Sequence, residues 1–188
     1  MARSSASDNA RISAAALHLA SGGWKTVTLE AVARKAKTPL STLNKRFASV
    51  SGLVPVIAEE VDREAFTLAG KTKGAPQDAL FDLLMARFDI LQKNRKAILG
   101  MSEAARQDRE LSCALARATL DGAYRLIDAA NLSALPRPLA AAGLAAVYGW
   151  AFCAWRKDES RDMAKTMAAL DRALRVAGKA ATLFTRRS

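Results

Sequence analysis

The side chains best suited to chemistry stand close together in the stretch TLEAVARKAKTPLSTLNKRF, residues 28–47. Its second half carries hydroxyl, amide and basic groups in close succession. Such groups donate hydrogen bonds to phosphates and to base edges in the major groove of DNA. The candidate contacts read from these residues are Leu40, Ser41, Thr42, Asn44, Lys45 and Arg46.

Two short helices are expected to position these groups. Thr28 is a good N-cap for a helix over 29–36, which has an apolar face. A three-residue turn ending in Pro39 follows, and a helix then runs to about residue 47. Leu43 and Phe47 lie four residues apart in it, so both face inward. This spacing predicts a helix-turn-helix, a structure that places its second helix in the major groove.

The charge of the chain is concentrated around the same stretch. The 188 residues include 29 basic and 18 acidic side chains, which gives a net charge of +11. Eight basic and two acidic side chains fall within the first 50 residues. Such a balance indicates a nucleic acid, an anionic membrane surface or an acidic protein as partner.

Several classes of protein are not supported by the sequence. The one histidine, His18, excludes a zinc site with two or more histidines. No acid–base pair and no nucleophile with a neighbouring base stands out, so we expect no enzyme, no cofactor and no metal. Cys113 and Cys153 lie 40 residues apart without a CxxC pair, which excludes a disulfide framework. We expect both thiols to be buried and the protein to reside in the cytoplasm.

The remaining pattern predicts an all-α fold of about nine helices, without strands or repeats. The first helix is expected from about Asp8 to Ala20, with Ile12, Ala15, Ala16 and Leu19 on its apolar face, His18 at the surface and Ser21-Gly22-Gly23 as its stop. A fourth helix is expected from a cap at Ser49 or Ser51 to about Ala69.

The first ten residues are polar and small and predict a disordered arm, whose Arg3, with Arg11, is a candidate for phosphate or minor-groove contact. Residues 70–74 read as a linker and residues 131–138 as a loop. We expect a DNA-binding domain over 1–50 and a larger helical domain over 51–188.

The segment 11–53 resembles the DNA-binding domain of the TetR family of bacterial regulators. The resemblance rests on Gly23-Trp24, on the Thr-capped helix beginning at Thr28, and on Ser41-Thr42-Leu43 with the closing Phe47. It implies a dimeric repressor on a palindromic operator, with Thr28 added to the DNA contacts. Lys37, a basic residue in the turn, is a further candidate DNA contact. The chain departs from the family pattern at four positions, where Gly, Tyr, His and Lys are usual: Lys37, Asn44, Arg46 and Val50.

For the larger domain the resemblance implies a small apolar ligand of unknown identity and a dimer interface made by the last two helices. The residues expected to line the ligand pocket are Phe81, Met85, Phe88, Met101, Tyr124, Tyr148 and Phe152, with Arg87, Asp89 and Arg117 as polar candidates. For any single one of the apolar residues the alternative is packing in the core. The residues expected at the dimer interface are Leu144, Tyr148, Ala151, Trp155, Met167, Leu170 and Leu174.

The C-terminal part also resembles the TetR-fold lipid-binding accessory proteins of ubiquinone biosynthesis. The residues that carry this second resemblance are Ala145, Val147-Tyr148, Trp155, Asp158-Glu159-Ser160 and Leu170-Asp171-Arg172. It implies lipid binding and contact with a membrane surface instead of DNA binding. The most apolar stretch, residues 138–155, is read as a buried helix, so no stable membrane insertion is expected.

Overall fold

A computed structural model describes residues 2–70, 75–132 and 135–185, and all regular structure within these ranges is helical. The predicted all-α fold is therefore confirmed. The α-helices are α1 (Ala2–Ala20), α2 (Leu29–Ala36), α3 (Leu40–Arg46), α4 (Val54–Ala69), α5 (Pro76–Lys93), α6 (Arg95–Ala104), α7 (Arg109–Ala129), α8 (Arg137–Trp155) and α9 (Ala164–Thr185). Single 3₁₀ turns cover Trp24–Thr26 and Val50–Leu53.

The chain divides into two compact units. The first unit comprises Met1–Glu64 and Ile90–Ala118, and the second comprises Ala65–Asp89 and Thr119–Ser188. The first unit contains every predicted DNA contact. The predicted domain boundary near residue 50 stays a prediction.

Helix α1 begins earlier than the sequence predicted. We expected a disordered arm and a helix from about Asp8, but α1 begins at Ala2. Residues 2–7 contain no Gly or Pro that would end a helix, and Arg11 pairs with Asp8 over 2.5 Å along the same surface. The end of α1 is as predicted: the helix stops at Ala20, and Gly23 adopts a φ of 116°.

Helix α4 begins later than expected because Pro55 cannot donate a backbone hydrogen bond. A 3₁₀ turn over Val50–Leu53 precedes it, so the proline lies at the second position of the helix. Gly70, with a φ of 64°, follows the last residue of α4. The predicted linker over 70–74 otherwise lies outside the described residues, as do positions 133 and 134 of the predicted loop.

The core of the first unit forms where α1 packs against α2 and α6. Helix α1 contributes Ile12, Ala15 and Ala16, as its apolar spacing predicted. Trp24 is buried after the glycine turn. This packing gives α2 a fixed support, on which the following turn and α3 are built.

The second unit is organised by α8 and α9, which pack along each other. A buried carboxylate, Asp158, fixes the corner between them. It accepts hydrogen bonds from the backbone N–H and hydroxyl of Ser160 and, at 2.8 Å each, from the same two groups of Thr166. Burial alone would raise the pKa of Asp158, but these four hydrogen bonds outweigh it and hold the pKa well below its ordinary value.

Candidate nucleic-acid interface

The interface begins with the cap of α2. The Thr28 Oγ1 accepts a hydrogen bond from the Ala31 N–H at 3.1 Å, so Thr28 is the N-cap that the sequence predicted. Because the hydroxyl oxygen already has this partner, its first role is structural. The side chain is exposed, and its hydroxyl hydrogen remains available to an acceptor such as a phosphate.

The turn after α2 requires a left-handed residue, and Lys37 supplies it. Its φ and ψ are 53° and 42°. The N–H of Thr38 bonds to the Ala33 carbonyl and that of Lys37 to the Arg34 carbonyl, which is the Schellman pattern at a helix end. Glycine normally occupies this position because a Cβ costs free energy there. The turn therefore has the backbone geometry of a helix-turn-helix, with a lysine at the left-handed position.

Helix α3 has one face buried in the protein and one face exposed to solvent. Leu43 is fully buried and Phe47, directly after the helix, is nearly so, as their spacing predicted. The side chains on the other face are exposed: Ser41, Thr42, Asn44, Lys45 and Arg46. Leu40 is half-buried. A rigid inner face thus presents a run of small polar and basic groups to solvent.

Arg46 is fixed by contacts that the sequence did not reveal. Its Nη2 donates to the Asn9 side-chain oxygen on α1 at 2.5 Å, and its guanidinium carbon lies 4.9 Å from the centre of the Phe47 ring. Asn9 is 37 residues away along the chain, so no local pattern indicates the pairing. The guanidinium retains further N–H donors for another acceptor.

The charge around α3 is positive. Between residues 25 and 46 the exposed charged side chains are Lys25, Glu30, Arg34, Lys35, Lys37, Lys45 and Arg46. Glu30 is the one acid in this stretch and lies in the first turn of α2. Such a surface attracts a polyanion at a range set by the salt concentration.

The segment that follows α3 is tied to α7. The Ser49 hydroxyl donates a hydrogen bond to the Glu110 carboxylate in the first turn of that helix. No local pattern in the sequence indicates this contact, which joins residues 61 positions apart.

Comparison with solved structures places this geometry in a known fold. A TetR transcriptional regulator from Nitrosomonas europaea superposes with a TM-score of 0.69 at 20% identity, over 91% of this chain and 98% of that one. A TetR transcriptional regulator from Rhodococcus sp. RHA1 gives 0.63 at 20% identity, over 91% and 95%. The chain has the TetR fold. No sequence-family model and no curated protein matches it.

Within this TetR fold the set of predicted ligand-pocket residues stays a prediction, and three of its aromatic members belong to one cluster of rings. Phe88, Tyr148 and Phe152 pack ring to ring with the buried Trp155, with centroids 5.3–6.3 Å apart in successive pairs. Rings so close fill the space between them and form core.

The other predicted pocket residues are scattered. Met101 is buried in the first unit, and the Tyr124 ring lies under the Arg137 guanidinium at 5.3 Å. Met85 is half-buried, and Phe81 lines a cleft of about 530 Å³ that is also lined by four aspartates.

The polar candidates lie in different surroundings. Asp89 and Arg117 are exposed, whereas Arg87 is buried with its guanidinium 4.8 Å from the centre of the Tyr148 ring.

Most of the residues predicted at the dimer interface are buried by packing within a single chain. Packing within the second unit buries five of them, namely Leu144, Ala151, Trp155, Leu170 and Leu174. Tyr148 is half-buried, and Met167 alone is well exposed. Buried side chains offer little surface to a partner, so these five contribute first to the core of the second unit, and the predicted interface set stays a prediction. The large apolar residues of α8 and α9 that are exposed to solvent are Leu139, Trp150, Met167, Val176 and Leu183.

Three further expectations concern single features. Cys113 and Cys153 were expected to be buried, but both are exposed. His18 is exposed, as expected. Helix α8 was read as a buried helix, but only 28% of its apolar window is buried; by length and composition alone it is the one described helix that could cross a membrane. Among the residues described, no cluster of three His, Cys, Asp or Glu side chains could hold a metal ion.

Proposed function

We propose that this protein is a cytoplasmic transcriptional regulator of the TetR type that binds a palindromic operator as a dimer and acts as a repressor. The observation that carries the proposal is the two-sided character of α3. Leu43 anchors its inner face, while Ser41, Thr42, Asn44 and Lys45 point to solvent. A helix held rigidly from behind, with short polar side chains in front, suits insertion into a major groove.

The proposed contacts divide by chemistry. Lys37, Lys45 and Arg46 are cations at or beside α3 and are assigned to phosphates or guanine edges. Thr42 and Asn44 are short hydrogen-bonding groups near the middle of the exposed face and are assigned to base edges. Asn44 stands where the family usually has tyrosine, so we expect this regulator to prefer an operator of its own.

Dimerisation is assigned to the exposed apolar residues of α8 and α9. Five of the seven large hydrophobic side chains exposed in the described part of the chain lie on these two helices. Large exposed apolar residues gathered in one region mark interaction surfaces. A two-fold dimer would present two copies of α3 to half-sites about one helical turn, roughly 34 Å, apart.

We further propose that a small apolar ligand regulates DNA binding. A ligand that binds one dimer geometry more tightly than another shifts the population toward it. If the favoured geometry separates the two α3 helices incorrectly for the operator, DNA is released. The ligand then acts as an inducer.

The second candidate function is that of a lipid-binding accessory protein. It is favoured by the exposed apolar surface of α8. The residues that carried this resemblance also have a purely structural explanation, because Trp155 is core and Asp158 with Ser160 forms the corner between α8 and α9. We therefore place DNA binding first.

The test is selection of bound sequences from a pool of random duplex DNA at two salt concentrations. We expect a palindrome to be enriched and its affinity to fall as salt rises. The double variant Thr42→Ala/Asn44→Ala should lose the enriched sequence, while Lys165→Ala on α9 serves as the surface control. Binding without any enriched sequence, unchanged by the double variant, would overturn the proposal and favour a search for bound lipid.

A further inference from the structure

The second unit contains a cavity that the sequence did not predict. It has a volume of about 500 Å³ and lies between the start of α5 and the facing sides of α8 and α9. This volume falls within the range of small-molecule sites, roughly 300–1,000 Å³. None of the aromatic residues expected to form a pocket lines it.

The walls of this cavity are aliphatic. Helix α8 contributes Leu139, Gly143 and Val147, and α9 contributes Leu174, Gly178 and Ala181. No aromatic ring and no charged side chain occurs among the described residues that line the cavity. An occupant therefore finds neither a stacking partner nor a counter-ion there, and its affinity must come from buried hydrocarbon.

Gly143 of α8 lines the cavity and borders open space. A Cβ built on Gly143 would meet no atom within 4 Å. Glycine in a helix interior is less stable than alanine. A larger residue at position 143 would have room for its side chain and would take up part of this volume.

One polar side chain stands at the edge of the cavity. Gln77, in the first turn of α5, is exposed, and its Oε1 lies 3.4 Å from the position that a Cβ on Gly178 would take. An amide offers both a donor and an acceptor, so it can bond to a hydroxyl or a carbonyl group. A carboxylate head group would find no cation among the described lining residues.

We propose that this cavity binds a single unbranched aliphatic chain whose neutral polar head bonds to Gln77. The proposal rests on the ligand regulation proposed above and gives the ligand its chemical class. A water molecule occupies about 30 Å³ in the liquid, so the cavity holds roughly 15 non-hydrogen atoms. The ligand class is that of medium-chain alcohols, and of esters or amides with one chain of that length.

The test measures binding of 1-alkanols from hexanol to tetradecanol to the full-length protein by calorimetry, without DNA. Each added methylene should tighten binding about fourfold, until the chain fills the cavity at about 10–12 carbons. Alkanoates of equal length should bind at least tenfold more weakly, because their charge finds no partner.

Two glycines of α8 supply a matched pair of variants. Gly143→Leu should fill the cavity and weaken decanol binding at least tenfold. Gly149→Leu lies on the same helix, also has open space around its Cβ, and is not among the lining residues, so binding should stay within twofold. Gln77→Leu should weaken alkanol binding about fivefold and leave the dependence on chain length unchanged.

Two results would overturn the inference. One is equal decanol binding by wild type and Gly143→Leu. The other is that the wild type binds no alkanol and forms a dimer that Gly143→Leu dissociates. In that case the cavity is part of a contact with a second copy of the chain. A failure of the proposed DNA-binding function gives a different result. In that case no operator sequence is selected, although the wild type still binds alkanols and the Gly143→Leu variant does not.

Discussion

The Arg46 guanidinium is held against α1 by a 2.5 Å hydrogen bond to the Asn9 side-chain oxygen. Arg46 ends the helix proposed to enter the major groove, and Asn9 lies on the helix that supports it. A long side chain loses entropy when it binds a phosphate, and a partner that already orders it reduces that loss. Asn9 is therefore a positioning residue for the Arg46 contact.

Asn9→Ala should weaken operator binding about fivefold, the equivalent of one ordinary hydrogen bond. Arg46→Ala should weaken it more, and the double variant should match Arg46→Ala alone, because Asn9 acts through the arginine. Fluorescence anisotropy with the selected operator measures all three. Additive losses in the double variant would show that Asn9 acts independently of Arg46.

Lys45→Ala should weaken operator binding and reduce the salt dependence. Lys45 is exposed at the end of α3, so we expect it to neutralise one phosphate. The slope of log affinity against log salt should fall in magnitude by about one. Lys165→Ala, exposed on α9, is the control for a lost surface charge. An unchanged affinity and slope for Lys45→Ala would remove that residue from the interface.

Lys37→Gly should raise the free energy of unfolding by about 1 kcal/mol, because glycine adopts the left-handed geometry without steric cost. The control is Lys35→Gly, two residues earlier in the last turn of α2, which should lower it by about 1 kcal/mol. Urea titration of both variants measures the opposite signs. Destabilisation by both would show that the left-handed turn does not form.

Trp150 and Trp155 lie five residues apart on α8 but should respond in opposite ways. Trp155 is fully buried, so Trp155→Ala should cost about 4 kcal/mol of folding stability. Trp150 is 64% exposed, so Trp150→Ala should leave the circular dichroism spectrum intact and weaken the dimer at least tenfold by sedimentation. A dimer unaffected by Trp150→Ala would place the interface elsewhere.

Asp158 should make stability depend on pH in the acid range. Its pKa is lowered in the folded protein, so the unfolded chain binds a proton first as pH falls. The stabilisation by Asp158 is complete above the ordinary pKa of 3.8 and is lost as the pH falls below that value toward the pKa of the folded state.

The variant Asp158→Asn tests this pH dependence and should lower the free energy of unfolding by about 2–3 kcal/mol at neutral pH. Urea titrations between pH 2 and 7 should show a flatter acid limb for Asp158→Asn than for wild type. Asp162→Asn, an exposed acid of the same corner, is the control.

The helix-turn-helix was readable from the sequence because each of its signals is local. The Thr28 cap acts three residues away, the glycine stop after α1 acts within one turn, and Leu43 with Phe47 defines a face by spacing alone. Such features depend on backbone geometry that neighbouring residues impose on each other. The all-α fold follows from the same local rules.

The tertiary structure decided which side of α8 is buried. That helix is rich in Ala and Gly and has no charged face, so its periodicity does not distinguish the side bearing Trp155 from the side bearing Trp150. Packing of the Trp155 ring against Phe88 of α5, together with the contact between α8 and α9, decides which side is buried. For this reason the sequence could not separate the buried members of the predicted interface set from the exposed ones.

The aromatic core and the aliphatic cavity also arise from packing between distant segments. Whether Phe88 and Tyr148 line a space or fill it depends on how closely their helices approach. The cavity beside Gly143 is lined by α8, α9 and the start of α5, so its size depends on how closely these distant segments approach each other. Sequence spacing determines which residues share a face of one helix. The distances between helices are determined only by their packing in the tertiary structure.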